Sequence, residues 1–426
     1  MAVVRQAGVL LLAALFMSRG LFAQDPQPPD SALAPEVEPA GVPAPAPAAP
    51  PLVAADQARV LLRPVDIRYV QQEALLAPVP AAIKGLYVNA WAFGSSKLRQ
   101  LVRLADETEI NALVIDVKDD TGCLLYPSAV PTAQQIGANR CVRAKDARAR
   151  LDTLAAHGVY AIARIVVAKD PLLAERKPQW SVKDRHTGGL WRDRIDIAWV
   201  DAYNDSVWIY AAQLAEEAVR LGFNEVQFDY VRFPDEPRER MAAAIFPARR
   251  AGWSQREAVR DHITLIKNRL RPLGVPVTFD IFGLAASTTV GDLGIGQVWE
   301  DFINIADVVL PMVYPSHYYR GAFGVAWPNG EPYRVVRYAL RDALARSRPH
   351  PAAAEIRPFL QAFTLGRRRP RYTPFEIREQ IRAVEDAGLT SWVLWNPRSV
   401  YQRDALRPPP ARELSSTASP RGGARP

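Results

Sequence analysis

Histidine and cysteine are scarce in this chain, with five of the one and two of the other in 426 residues. His157, His186, His262, His317 and His350 show neither HxH nor HExxH spacing, and there is no Cys-x-x-Cys or Cys/His cluster. Structural zinc and a histidine-based metal hydrolase are therefore disfavoured, and no metal site is expected. Past residue 23 no run is long and apolar enough to cross a bilayer, so the mature chain is expected to have no membrane span. A concentrated positive face is missing too. Net charge is +8, and removing Arg5 and Arg19 with a leader leaves +6. Five arginines against Asp404 and Glu413 in residues 403–426 account for half of that excess. A basic tail on a nearly balanced domain argues against a dedicated nucleic-acid binder.

What is present divides the chain into four parts. Arg5, the apolar stretch Ala7 to Met17 and "GLFA" before Gln24 have the layout of an export signal over residues 1–23, which places the mature protein in the periplasm or outside the cell. The alternative is a retained N-terminal anchor. Residues 24–58, with "PEVEPAGVPAPAPAAPP", read as an extended Pro/Ala-rich linker. Residues 406–426 read as a disordered basic tail. Between them, 59–405 is one domain, whose 49% hydrophobic parent chain is ample for a large core. Cys123 and Cys141 either form one disulfide closing a short loop, as export permits, or are two unrelated thiols.

The domain alternates strand and helix signals. Eight short β-branched apolar runs occur at 85–94, 112–120, 159–170, 225–235, 275–283, 306–316, 356–364 and 391–399. Helical-period segments such as "DSVWIYAAQLAEEAVRLGF" and "PFEIREQIRAVEDAGL" separate them, several ending in Gly before the next strand. Repeated parallel βαβ units in this number predict an α/β fold, the (β/α)8 TIM barrel. An open doubly wound sheet would call for a Gly-rich phosphate turn after the first strand, and "WAFGSSKL" is a poor one.

Polar residues collect at the C-terminal strand ends, where such barrels carry their chemistry. Asp116, Lys118, Asp119 and Asp120 end the second strand; Arg164 lies on the third, Asp229 and Arg232 end the fourth, and Asp280 ends the fifth. Period-two alternation turns Leu113, Ile115, Val117, Val226, Phe228, Phe279 and Ile281 toward the helices. Asp116, Lys118, Gln227, Asp229, Thr278 and Asp280 then face inward. Two inward acids on neighbouring strands suit glycosidic cleavage, in which one carboxyl protonates the leaving oxygen and the other meets the anomeric carbon. The alternative is a closed ion network of Asp116, Lys118, Arg164 and Asp229 that plugs the barrel mouth. Rim aromatics (Trp91, Tyr230, Tyr314, Tyr318 and Trp395) serve either as sugar platforms or as packing.

"GLYVNAWAFG", "VIDVKDDTG", "ARIVVAKD", "GFNEVQFDYVRFPDE", "FDIFG", "LPMVYPSHY" and "WVLWNP" together resemble the bacterial putative glycosyl hydrolase domain family, over about residues 84–400. The resemblance implies a TIM barrel acting on an oligo- or polysaccharide without a cofactor. By analogy with glycosidase barrels, Asp229 is the expected nucleophile and Asp280 the acid/base, with Asp116 and Asp119 in reserve. Lys118, Arg164 and Arg232 are assigned to orienting carboxylates or holding hydroxyls. Tyr314, His317, Trp395, Asn396 and Trp91 are assigned to substrate contact. "GRRRPR" (366–371) either favours an anionic or acetylated polymer or is a solvated loop. The insertion 171–203, carrying Trp180, Trp191, Trp199 and Tyr203, is expected to form one wall of the cleft. The rival functions are a catalytically inactive carbohydrate-binding barrel at the cell envelope and a metal-dependent hydrolase using Asp116, Asp119 and Asp229. Oligomeric state is not legible.

Overall fold

Eight parallel strands close on themselves in this structure, a computed structural model that describes residues 77–409 except Arg368. The expected leader (1–23) and linker (24–58), residues 59–76 of the expected domain, and residues 410–426 of the expected 406–426 tail lie outside the described residues. The barrel strands are β1 (Lys84–Val88), β2 (Ala112–Lys118), β3 (Tyr160–Val166), β4 (Glu225–Asp229), β5 (Val277–Phe282), β6 (Val308–Val313), β7 (Phe359–Gln361) and β8 (Trp392–Trp395). Each pairs with its successor, and β8 pairs with β1 to complete the ring. This is the (β/α)8 barrel that the alternating pattern predicts.

Helices follow seven of the strands: α1 (Lys97–Asp106), α2 (Ala147–Ala156), α3 (Asp205–Leu221), α4 (Gln255–Leu270), α5 (Trp299–Ile303), α6 (Pro332–Ser347) and α7 (Pro374–Asp386). After β8 the described chain forms a 3-10 turn, Arg403–Ala405. Local signals set these helices. Asn204 caps α3 by accepting from the Ser206 N–H, and Gly222 at φ 117° ends it in a conformation that favours glycine. Reciprocal Ser254/Glu257 and Thr373/Glu376 boxes start α4 and α7.

Strand alternation divides the apolar side chains into two cores. Leu86, Val88, Leu113, Ile115, Val226 and Phe228 pack outward against the helices. Tyr87, Val114, Ile162, Leu310, Phe359 and Val393 fill the barrel interior. Burying each large apolar chain stabilises the fold by roughly 1.5–3 kcal/mol. Deeper in the barrel the fully buried Arg357 donates from Nη1 to Glu225 Oε1 at 2.6 Å.

The excursions between strands are ordered by their own packing. Cys123 and Cys141 form a disulfide with Cα atoms 5.6 Å apart, stapling the segment between β2 and α2. Residues 171–203 contain the helix Pro171–Arg176 and a strand, Lys183–Asp184, paired antiparallel with Ala244–Ile245. Their Trp191, Trp199 and Tyr203 are buried in the outer core, Trp199 with its ring centroid 5.8 Å from that of Tyr230. Large rings at these positions supply the apolar area that keeps a long excursion folded. No helix among the described residues is long and apolar enough to cross a membrane.

Candidate active site

Inside the C-terminal half of the barrel, the Arg164 guanidinium binds three acids from three strands. Nη1 donates to Asp116 Oδ1 at 2.5 Å, Nη2 donates to Asp229 Oδ2, and Nε stands 3.5 Å from Asp280 Oδ2. Register explains the convergence. Asp116 pairs with Arg164, Arg164 with Gln227, and Phe228 with Phe279, so Asp229 and Asp280 occupy matching places on adjacent strands. Neighbouring backbones are about 4.8 Å apart. Second partners hold each acid: Tyr87 Oη donates to Asp116 Oδ2 at 2.5 Å, and Gln227 Nε2 to both Asp280 oxygens at 2.9 and 3.1 Å. The Tyr230 N–H donates to Asp229 Oδ1 at 2.5 Å. Tyr230 itself sits at φ 53°, a left-handed conformation costing a non-glycine residue roughly 1–2 kcal/mol. That bend ends β4 directly after Asp229.

One guanidinium facing three carboxyls leaves an excess of acid. Burial pushes Asp116 up to about 6, against the pull of Arg164 and the Tyr87 hydrogen bond. Burial, then the charge of Asp229, lifts Asp280 well above the ordinary carboxylate range. Gln227 Oε1 is buried without a hydrogen-bond donor. Asp229 is 5% exposed, against 2% for Asp116 and 1% for Asp280. All three carboxyls are buried, Asp229 the least so. Asp280 lies beneath, because Arg164 and Gln227 draw its carboxyl into the barrel.

Lys118 does not join this group. The β2–β3 register shifts between Asp116 and Lys118, so Lys118 pairs with Ile165. Its ammonium donates to the buried Asp170 and lies 5.5 Å from the Tyr210 ring centroid on α3. A bulge reverses the facing that strict alternation predicts. Asp119 is committed to its own turn, accepting from the Thr121 N–H at 3.0 Å and hydroxyl at 2.5 Å. Asn396 also serves the backbone, donating to Ala362 O and accepting from the Arg398 N–H. Arg232 is buried over the rings of Tyr230 and Phe282, each 4.7 Å from its guanidinium carbon. Trp91 is 65% exposed, with Arg143 stacked 3.7 Å from its ring centroid. Tyr318 is buried. Among the described residues no three His, Cys, Asp or Glu assemble into a cation site. Arg164 already bridges Asp116 and Asp229, which speaks against the metal-dependent arrangement.

Beside the acids runs an aromatic floor that sequence reading found only in part. Trp395 lies 5.5 Å from Tyr314, 5.2 Å from Phe363 and 5.7 Å from Tyr87 between ring centroids. His317, exposed and hydrogen-bonded to Ser316 Oγ, packs on Tyr314 and Phe363. Tyr87 joins floor to acids, since the same ring that meets Trp395 donates to Asp116. Tyr87 was detectable as the inward residue of "GLYVN"; Phe363 carried no such signal, because it follows its strand.

A closed α/β barrel with polar side chains at the C-terminal ends of its strands serves many classes of enzyme, glycoside hydrolases among them. The chain belongs to the putative glycosyl hydrolase domain family, matched over residues 85–401. A hypothetical protein from Ruminiclostridium thermocellum ATCC 27405 is 36% identical over 46% of this chain and 96% of its own, at a TM-score of 0.40. The PgaB (BpsB) glycoside hydrolase domain from Bordetella bronchiseptica shares the fold at 15% identity and TM-score 0.53, covering 76% of this chain and 99% of that one. The glycoside hydrolase domain of PelA from Pseudomonas aeruginosa aligns at 13% identity and TM-score 0.43, over 76% and 97% of the two chains. A search of curated proteins returns no match.

Proposed function

We propose that this barrel hydrolyses glycosidic bonds in an oligo- or polysaccharide, with Asp229 as the carboxylate that meets the anomeric carbon. Asp280 is the acid/base partner, and Asp116 the alternative acid. The observation that carries the reading is the surplus of carboxyl over guanidinium around Arg164. A structural plug would balance its charges, whereas here burial and the charge of Asp229 raise the Asp280 carboxyl well above its ordinary range, while Asp229 accepts from Arg164 and from the Tyr230 N–H. Environments that push two carboxyls apart in this way are how acid and base roles are divided. Adjacent-strand spacing of about 4.8 Å agrees with the roughly 5–5.5 Å of retaining enzymes. No cofactor is needed. Arg164 orients the acids, and Tyr314, His317 and Trp395 offer ring surface to sugar faces.

Near-closure of the cluster favours a second reading, a barrel that binds glycan without cutting it. The Asp229→Asn variant separates the two on a polysaccharide array scored for new reducing ends. Hydrolysis predicts a fall in turnover of at least a hundredfold with binding retained. Wild-type protein that binds a glycan and never yields reducing ends supports the silent barrel. The reading also sets the protein outside the cytoplasm. The Cys123–Cys141 disulfide supports that, since such bonds persist mainly in oxidising compartments, as does the leader-like composition of residues 1–23.

A further inference from the structure

The loops on the C-terminal face divide sharply by charge. Those after β6, β7, β8 and β1 (residues 314–330, 362–373, 396–402 and 89–96) contain six arginines and no Asp or Glu. These four strands are consecutive in the barrel, so the acid-free loops occupy one continuous half of the rim. Arg320, Arg367, Arg369, Arg371 and Arg398 are exposed, and none forms an ion pair among the described residues. Of the acids that follow these loops, Glu331 pairs with Arg334 at 2.6 Å, Glu376 closes the α7 capping box, and Asp404 is exposed in the 3-10 turn Arg403–Ala405. On the other half, cations meet acids, as Lys169 meets Asp120 at 3.0 Å and Arg194 meets Glu236 at 3.8 Å.

Exposed aromatics follow the same division. Among the described residues, the exposed Phe, Tyr and Trp side chains are Trp91, Tyr319, Trp327 and Phe375. The first lies after β1, the next two after β6, and the last opens α7 just beyond the β7 loop. Tyr87, Tyr314, Phe363 and Trp395 carry ring surface from Asp116 toward this half.

We infer that the substrate is a long carboxylate-bearing polysaccharide, whose chain lies across the β6–β7–β8–β1 half of the mouth. This deepens the glycosidase reading and rests on it for the choice of a glycan. Ring faces stack on aromatic side chains, and the planar guanidinium fork matches a carboxylate in two parallel hydrogen bonds. Arginines without acidic neighbours leave a positive field that raises the local concentration of a polyanion. Arginine alternates with the rings along the chain, Arg320 following Tyr319 and Arg371 preceding Phe375. Charge is thus presented where sugar rings would stack.

The test measures binding alone, using the full chain with Asp229→Asn so that turnover plays no part. Affinity electrophoresis in polygalacturonate, neutral dextran, dextran sulfate and oligo(dT) gives the four arms. Polygalacturonate should retard the protein most, and the effect should weaken as salt rises from 50 to 500 mM. Arg367→Glu with Arg371→Glu should weaken that retention about tenfold, from two lost charge contacts and added repulsion. Arg271→Glu with Arg348→Glu, at helix C-termini on the opposite face, should change it less than twofold. Equal retention in dextran, stronger retention in dextran sulfate or oligo(dT), or indifference to the rim pair would overturn the inference. Failure of hydrolysis by the wild type leaves this binding result untouched, so the two readings fall separately.

Discussion

Replacing Arg164 with methionine tests whether the acids are coupled through one buried cation. The guanidinium is 8% exposed and touches Asp116, Asp229 and Asp280. Methionine keeps most of the packing volume and removes the charge. Breaking a buried pair by deleting one partner costs about 3–5 kcal/mol, because the other charge stays buried and uncompensated. Here a proton can replace the guanidinium, so the loss must depend on pH. Asp116 has a folded value of about 6 against an ordinary 3.8, with Arg164 already pulling it down. A raised folded value means stability that is fully present below about 4 and lost as pH climbs through 6. For the wild type the difference between 3.8 and about 6 corresponds to roughly 3 kcal/mol. Without Arg164 the folded value rises further, and the variant begins recovering stability at a higher pH than the wild type does. Urea unfolding of both proteins at pH 5 and 7.5 should show a difference of about 3–5 kcal/mol at pH 7.5 that shrinks at pH 5. A difference under about 1 kcal/mol at pH 7.5, or one that is the same at both pH values, would refute the coupling.

Two further substitutions probe the frame around the site. Arg357→Met should cost about 3–5 kcal/mol in thermal or urea unfolding, since Glu225 is fully buried beside it, and adding Glu225→Leu should restore most of that loss. Lys118→Met should lower stability by a similar amount through Asp170, while leaving the pH profile of turnover unshifted, because Lys118 lies outside the Arg164 group. A shifted profile would return Lys118 to the site.

Much of the architecture was legible locally. Alternating β-branched runs and capped helices state a parallel barrel residue by residue, and period two alone turned Gln227, Asp229, Thr278 and Asp280 inward. Local pattern fails where one extra residue enters a strand, and the bulge after Asp116 swung Lys118 to the helix side. It fails again where a side chain chooses among distant partners. Sequence reading could group Arg164 with Asp116 and Asp229, but nothing near it in the chain indicates that Asp280 from β5 would be drawn under it as well. The insertion's tryptophans were visible as aromatic content, yet only packing decided that Trp191 and Trp199 are buried in the outer core. The six arginines of these acid-free loops were there to be read, but their meaning waited on closure, which sets the loops after β6, β7, β8 and β1 side by side. Sequence determines which way a residue points within its own element; tertiary structure determines which residues meet, because register, bulges and ring closure are properties of pairs of elements and of no single one.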